Sequence, residues 1–181
     1  MHKNPNAIEA HIEPLEIADE GSIVAPLGDI DFLHGWQPTS VATGKDLAES
    51  QRTAKAIKAP AQQCWFNARK AIFKLEDYTE ASYVEGWASC KGMPIEHGWI
   101  IRNGAVIDPT LPADDIIYFP GLEFPGRTGI EAFLATKEGK KCKRSPFFYA
   151  FGWGGMLSPT FRKCYEQAMA LLGKNHSGSA A

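Results

Sequence analysis

The dipeptide Asn103-Gly104 lies between two apolar segments and constrains the fold more than any other feature of the sequence. An Asn-Gly pair in this setting is the strongest short-range signal for a β-hairpin. Segments 95–102 and 105–107 are therefore the expected hairpin strands, and the run 82–89 is an expected strand before them.

Two helices are predicted ahead of these strands. The first begins with a capping-box-like arrangement of Thr43 and Asp46 and ends before Pro60. Its apolar face contains Leu47, Ala54 and Ile57. The second begins near Gln62 to Cys64, ends near Glu76-Asp77, and carries an apolar stripe of Trp65, Ala68, Ile72 and Leu75.

The last third of the chain is expected to contain a loop, two helices and a strand. Residues 111–127 are rich in proline, glycine and aromatic side chains and predict an ordered loop. Thr128 and Glu131 form a capping box for a helix that ends at Gly139. Residues 147–151 predict a buried strand, and the last helix is expected to begin at Ser158-Pro159 and end at Gly173.

The chain of 181 residues is long enough for one domain with a sizeable core. That domain is expected to span residues 1–173, with the core at about 43–173 and a disordered tail at 174–181. Residues 1–42 are harder to interpret, and segments 22–27 and 29–33 fit either short strands or extended chain.

Composition excludes several classes of function. Charged residues make up 22% of the chain and the formal net charge is -2, so nothing favours a nucleic acid or anionic membrane partner. No apolar run approaches the ~20 residues needed to span a bilayer. The N-terminus lacks the apolar stretch of a secretory signal, which favours a cytoplasmic location.

The four cysteines, Cys64, Cys90, Cys142 and Cys164, are too few for a disulfide scaffold. They form no C-x-x-C pair and have no histidine at metal-ligand spacing, so neither a metal site nor a cofactor is expected.

A cysteine, a histidine and an aspartate follow one another in an order that suits nucleophilic catalysis. Cys64 opens the second predicted helix, where unpaired N–H groups and partial positive charge stabilise a thiolate. His97 and Asp108 belong to the predicted hairpin. The three residue types can act as nucleophile, base and orienting acid.

Hairpin register supports this grouping. Counting outward from Asn103-Gly104 pairs Trp99 with Asp108, which places Asp108 diagonal to His97 and within side-chain reach. Ile95, His97, Trp99 and Ile101 share one face of the strand. If that face packs on the Cys64 helix, the imidazole points toward the thiol.

Further residues are candidates for the oxyanion or substrate side of the site. Backbone N–H groups at the helix start, with the side chain of Gln62 or Gln63, could face a developing oxyanion. Glu85, Trp99 and Trp153 are candidates for lining the site, although Glu85 also fits a charge at a strand edge. Each residue, alone, also fits a purely structural role.

The order of a cysteine at a helix start, a histidine on a strand and Asp108-Pro109-Thr110 after a hairpin resembles the transglutaminase-like and papain-like cysteine enzymes. The resemblance covers residues 60–125 and implies an α+β fold in which the cysteine-bearing helix packs on an antiparallel sheet. It implies Cys64 as nucleophile, His97 as base and Asp108 as orienting acid, but it does not imply a substrate. A peptide, a protein or a small amide is the expected substrate class.

Alternatives to a cysteine hydrolase remain open at this point. The same fold could transfer an acyl group to an amine instead of water, or could be a non-catalytic module whose aromatic segment 118–124 contacts a protein. The basic cluster at 137–144, near aromatic residues, could bind single-stranded nucleic acid, but a solvated turn is favoured. The second His-Gly-Trp tripeptide, at 34–36, is interpreted as coincidence.

Overall fold

The computed structural model describes residues 35–111 and 113–177. Helices α1 (Leu47–Ile57) and α2 (Cys64–Lys74) precede strands β1 (Ser82–Cys90), β2 (Met93–Arg102), β3 (Ala105–Ile107) and β4 (Ile116–Phe124). Helices α3 (Gly126–Ala135), α4 (Lys137–Lys141) and α5 (Pro159–Ser177) follow. Short 3-10 helices occupy Glu76–Tyr78, Phe147–Phe151 and Trp153–Gly155.

The four strands form one antiparallel sheet in the order β3-β2-β1-β4, so the fold is α+β. The predicted hairpin is confirmed: Arg102 pairs with Ala105. Asn103 and Gly104 have φ angles of 51° and 73°, as a two-residue turn with positive φ at both positions requires. Beyond β3, Lys45 forms a parallel bridge with Val106 and extends the sheet edge just before α1.

The predicted loop at 111–127 is wrong for most of its length, because residues 116–124 form β4. Among the residues that the structure describes, this strand pairs with β1 alone and lies at the sheet edge, where a proline such as Pro120 is tolerated. Its register with β1 shifts between Glu85 and Gly86. A side chain at Gly86 would meet the carbonyl oxygen of Phe119 at 2.2 Å, so glycine is required there.

Other boundaries also differ from expectation. Asp46 alone caps α1, and its side chain accepts from the N–H of Glu49. The helix expected at 128–139 begins after Pro125 and breaks at Thr136, whose side chain caps α4. Gly139 therefore lies inside α4.

The C-terminal elements correct two further expectations. Residues 147–151 form a 3-10 helix instead of a strand. Helix α5 starts at Pro159 as predicted but continues through Gly173 to Ser177, so residues 174–177 are helical. The expectations for residues 1–34, and for the tail at 178–181, lie outside the described residues.

Each face of the sheet packs a separate apolar cluster. The larger core includes Ala68, Ala71 and Ile72 of α2, Ile100 of β2 and Phe161 of α5, all within 1% of full burial. The opposite face carries a smaller cluster of Val84, Trp99, Ile101 and Val106. Helix α2 therefore lies on the face of β2 opposite to Trp99. No helix among the described residues is long and apolar enough to cross a membrane.

Candidate active site

The side chains of Cys64, His97 and Asp108 meet at one place. Nε2 of His97 lies 2.8 Å from Oδ2 of Asp108, and the Cys64 thiol lies close enough to the same imidazole to raise its pKa. Since Asp108 occupies Nε2, Nδ1 is the nitrogen left for the sulfur. His97 and Asp108 are each 2% exposed, whereas Cys64 retains 7% exposure.

Close packing of α2 on β2 positions the cysteine. A Cβ atom at Gly98 would lie 3.1 Å from Cα of Trp65 and 2.7 Å from its ring, so the helix start rests directly on the strand backbone. Gly98 is next to His97 in β2. Cys64, the residue before Trp65, is thereby held beside the histidine.

The sequence suggested that α2 packs on the face of β2 that carries His97, but α2 lies on the opposite face. The His97 ring stacks near Trp99, with centroids 6.2 Å apart and planes 17° apart, on the face opposite to α2. β3 pairs only with residues 100–102 of β2, so the outer edge of β2 beside His97 is not covered by that strand. We infer that the α2 start meets His97 at this edge and not through the face.

Backbone and side-chain donors fix the Asp108 carboxylate. Oδ1 accepts from the N–H groups of Thr110 at 2.9 Å and Leu111 at 3.1 Å. Oδ2 accepts from the Tyr118 hydroxyl at 2.8 Å in addition to facing His97. The turn that follows β3 and the Tyr118 side chain of β4 therefore hold the carboxylate in one orientation.

Hydrogen bonds also set the protonation of the pair. Burial on its own lowers the pKa of His97, but the hydrogen bonds and charges of Asp108 and Cys64 outweigh it and raise that pKa to about 9. Burial raises the pKa of Asp108, whereas His97 and the two backbone N–H groups bring it below its ordinary value. The arrangement thus favours a protonated imidazole beside an ionised carboxylate at neutral pH.

The start of α2 is left available to a ligand. Gln63 is the N-cap residue, and no side chain caps the helix. Gln62, with a φ angle of 60°, and Gln63 both border a cleft of about 510 Å³, here named the Gln62 cleft. It is also lined by Trp65, Phe66, Lys143 and Arg144. Gln62, Gln63, Trp65 and Phe66 flank Cys64 in sequence, whereas Lys143 and Arg144 come from the segment after α4.

The hydrogen bonds of the Glu85 carboxylate go to groups other than Cys64, His97 and Asp108. Its carboxylate is fully buried and accepts from the Tyr83 hydroxyl and from the N–H groups of Phe147 and Phe148, both at 2.7 Å. Burial raises the pKa of Glu85 above its ordinary value. Glu85 therefore anchors the 3-10 helix at Phe147–Phe151 to the sheet, and it is not a charge at a strand edge.

The two tryptophan candidates have different places. Trp99 is 1% exposed and supports the His97 ring from behind. Trp153 is 93% exposed and borders a cleft of about 760 Å³. This Trp153 cleft is also lined by Trp87, Glu96, Tyr149, Met156 and Tyr165.

Three residues that support the triad were not predicted from sequence. Tyr118 bonds Asp108, and the Ser50 hydroxyl accepts from the Asp108 N–H at 2.9 Å. Asn67 lies in α2 and donates to the Pro60 carbonyl at 2.8 Å and to the Thr110 hydroxyl at 3.0 Å. Asn67 thereby ties the cysteine helix to the turn that holds Asp108.

Replacing Tyr118 by phenylalanine should remove one donor from Asp108 and weaken its hold on His97. Loss of a hydrogen bond to a charged group costs about 1.5–3 kcal/mol. We expect a three- to tenfold slower alkylation of Cys64 by iodoacetamide, measured by intact mass. Tyr149→Phe is the matched control, because Tyr149 is 54% exposed and lies outside the triad. Equal rates for the two variants would contradict a supporting role for Tyr118.

Within residues 35–111 and 113–177, no group of histidine, cysteine and carboxylate side chains has an arrangement that could hold a metal ion. Comparison of the chain with protein-family models, curated proteins and solved structures found no match.

Proposed function

We propose that this protein is a cysteine hydrolase that cleaves an amide or related acyl bond through a thioester intermediate. The observation that carries the proposal is the imidazole of His97, which bonds the Asp108 carboxylate at 2.8 Å and has the Cys64 thiol near enough to raise its pKa. Thiol, imidazole and carboxylate in this order form the arrangement of an activated nucleophile.

The proposed reaction has two stages. The Cys64 thiolate attacks the carbonyl carbon, and N–H groups at the α2 start, with Gln62 or Gln63, stabilise the oxyanion. The C–N bond then breaks, and protonated His97 gives its proton to the departing amine. Neutral His97 next takes a proton from water, which attacks the thioester and restores the thiolate. Asp108 keeps the imidazole in one orientation throughout.

Fold and site together support a papain/transglutaminase-like core. The nucleophile lies at the first residue of a helix, and that helix packs on an antiparallel sheet which supplies the histidine. A peptide, protein or small amide is the proposed substrate class. The cytoplasmic location stays a prediction.

Alkylation with limiting iodoacetamide at about pH 6.5, followed by peptide mass analysis, tests the proposal. Cys64 should react first although Cys90 is more exposed, since thiolate character and not exposure governs the rate. Burial raises the pKa of Cys142 and Cys164 and keeps both slow. Faster labelling of Cys90 than of Cys64 would refute an activated thiolate and favour a non-catalytic module.

The stabilising contribution of His97 should disappear as the pH rises. The pKa of His97 is 6.5 ordinarily and about 9 in the folded protein. The contribution is fully present below 6.5, where both states are protonated, and is lost as the pH passes 9. Urea unfolding gives the free energy of unfolding of wild type and of His97→Gln. The difference between the two should narrow by on the order of 3 kcal/mol between about pH 6 and pH 9.5. Titrating groups that do not contact His97 are shared by the two proteins and cancel; a constant difference would contradict the raised pKa.

A further inference from the structure

The Trp153 cleft combines aromatic walls with a single acidic side chain. Trp87, Tyr149, Trp153 and Tyr165 supply the rings, and Glu96 supplies the carboxylate. The rings of Trp87 and Tyr165 are 5.1 Å apart and tilted by 62°, which forms an angled wall. The rings of Trp153 and Tyr149 are exposed by 93% and 54%. Such exposure leaves aromatic faces free to contact a ligand.

Glu96 has no counter-charge within the described part of the chain. No hydrogen bond or ion pair connects it to residues 35–111 or 113–177, although it is half-buried. Burial alone raises its pKa above the ordinary value. A partly desolvated carboxylate without a partner is unfavourable, and a cation placed beside it would relieve that cost.

Aromatic rings favour the same kind of ligand. The face of a tryptophan or tyrosine ring carries negative charge density and attracts ammonium and guanidinium groups. Four such rings around one carboxylate therefore select a cation over a neutral or anionic group.

One residue of the cleft lies on the strand against which the cysteine helix packs. Glu96 and Gly98 are on the same face of β2 and are separated by about 7 Å along the strand. Gly98 lies against the backbone of Trp65, next to Cys64. We infer that a side chain of a substrate bound at Cys64 extends along β2 toward Glu96.

The cleft beside the start of α2 carries the opposite charge. The Gln62 cleft is lined by Lys143 and Arg144, which disfavour a cation there. Electrostatic complementarity of this kind fixes the direction in which a charged substrate lies.

We propose that the Trp153 cleft binds a cationic group of the substrate, an ammonium or guanidinium, with Glu96 as its counter-ion and the four aromatic rings as its walls. This inference rests on the proposed hydrolase function and adds the chemical class of the substrate group next to the scissile bond.

The test compares two alkylating reagents that differ only in charge. Acyl-lysine chloromethyl ketone and acyl-norleucine chloromethyl ketone both form a thioether with a thiolate sulfur and release chloride. The lysine reagent carries an ammonium group where the norleucine reagent carries none. Their second-order rate constants with Cys64 are measured by intact mass in the full chain, near neutral pH and at low salt.

The lysine reagent should react at least tenfold faster than the norleucine reagent with wild type. This ratio should fall toward one in Glu96→Gln and drop severalfold in Trp153→Ala. Glu131→Gln is the matched control, because Glu131 is exposed and lies on α3 away from both clefts, and it should keep the wild-type ratio.

The outcomes separate this inference from the proposed function. Efficient labelling of Cys64 with a ratio near one, or a wild-type ratio in Glu96→Gln, would overturn the cation site and leave the hydrolase proposal intact. Failure of both reagents to label Cys64, while Cys90 is labelled, would refute the proposed function itself.

Discussion

Replacing His97 by glutamine will slow the alkylation of Cys64 by iodoacetamide at pH 6 by about 30-fold or more. At that pH an ordinary thiol is only about 0.3% ionised, whereas a protonated imidazole in hydrogen-bond contact holds a thiolate. We propose that His97 supplies this imidazole, because its raised pKa of about 9 keeps it protonated at pH 6. Glutamine keeps a polar side chain of similar length but carries no positive charge.

The measurement is the time course of the intact-mass shift, with Cys64→Ser used to subtract labelling at other cysteines. Asp108→Asn should give a smaller reduction, because the imidazole stays beside the thiol, although it loses the carboxylate that orients it and raises its pKa. Circular dichroism at the start of each reaction checks that the variants are folded. An unchanged rate in folded His97→Gln would show that the imidazole does not activate the thiol.

Replacing Glu85 by alanine should lower the free energy of unfolding by about 3–5 kcal/mol. The substitution leaves the N–H groups of Phe147 and Phe148 and the Tyr83 hydroxyl without their acceptor in a fully buried location. Each buried donor that loses its partner costs about 1–3 kcal/mol. The cavity left by the missing side chain adds to this cost.

Urea unfolding followed by tryptophan fluorescence measures the effect. Glu85→Gln should be intermediate, because its amide keeps one carbonyl oxygen as acceptor. Glu131→Ala, an exposed control on α3, should change the free energy of unfolding by no more than about 0.5 kcal/mol. A change below about 1 kcal/mol in Glu85→Ala would contradict the anchoring role.

Local signals explain what could be predicted of the fold. Asn103-Gly104 determines the turn between β2 and β3, and Ser158-Pro159 marks the start of α5, because each depends on backbone preferences of adjacent residues. Strand β4 escaped prediction because Pro120 and Gly121 resemble loop residues. Only its pairing with β1 across a register shift, a long-range contact, makes that segment a strand.

In the site, too, local patterns could be predicted and long-range contacts could not. The spacing of His97 and Asp108 follows from hairpin register, so their proximity could be predicted. Tyr118 and Ser50 reach Asp108 from β4 and α1, and no local pattern connects those segments to the hairpin. The side chains of β2 alternate between two apolar clusters on opposite faces of the sheet. That alternation does not determine which of the two faces α2 covers.

The contact between Gly98 and Trp65 both packs α2 on β2 and positions Cys64. Even a methyl group there would sit 2.7 Å from the indole ring and push the helix off the strand. Stability and the proposed reactivity of Cys64 would then be lost together, since the displaced helix carries that cysteine. Substitutions in β2 that aim to change specificity can therefore be made at Glu96, which lines the Trp153 cleft. Position 98 must remain glycine.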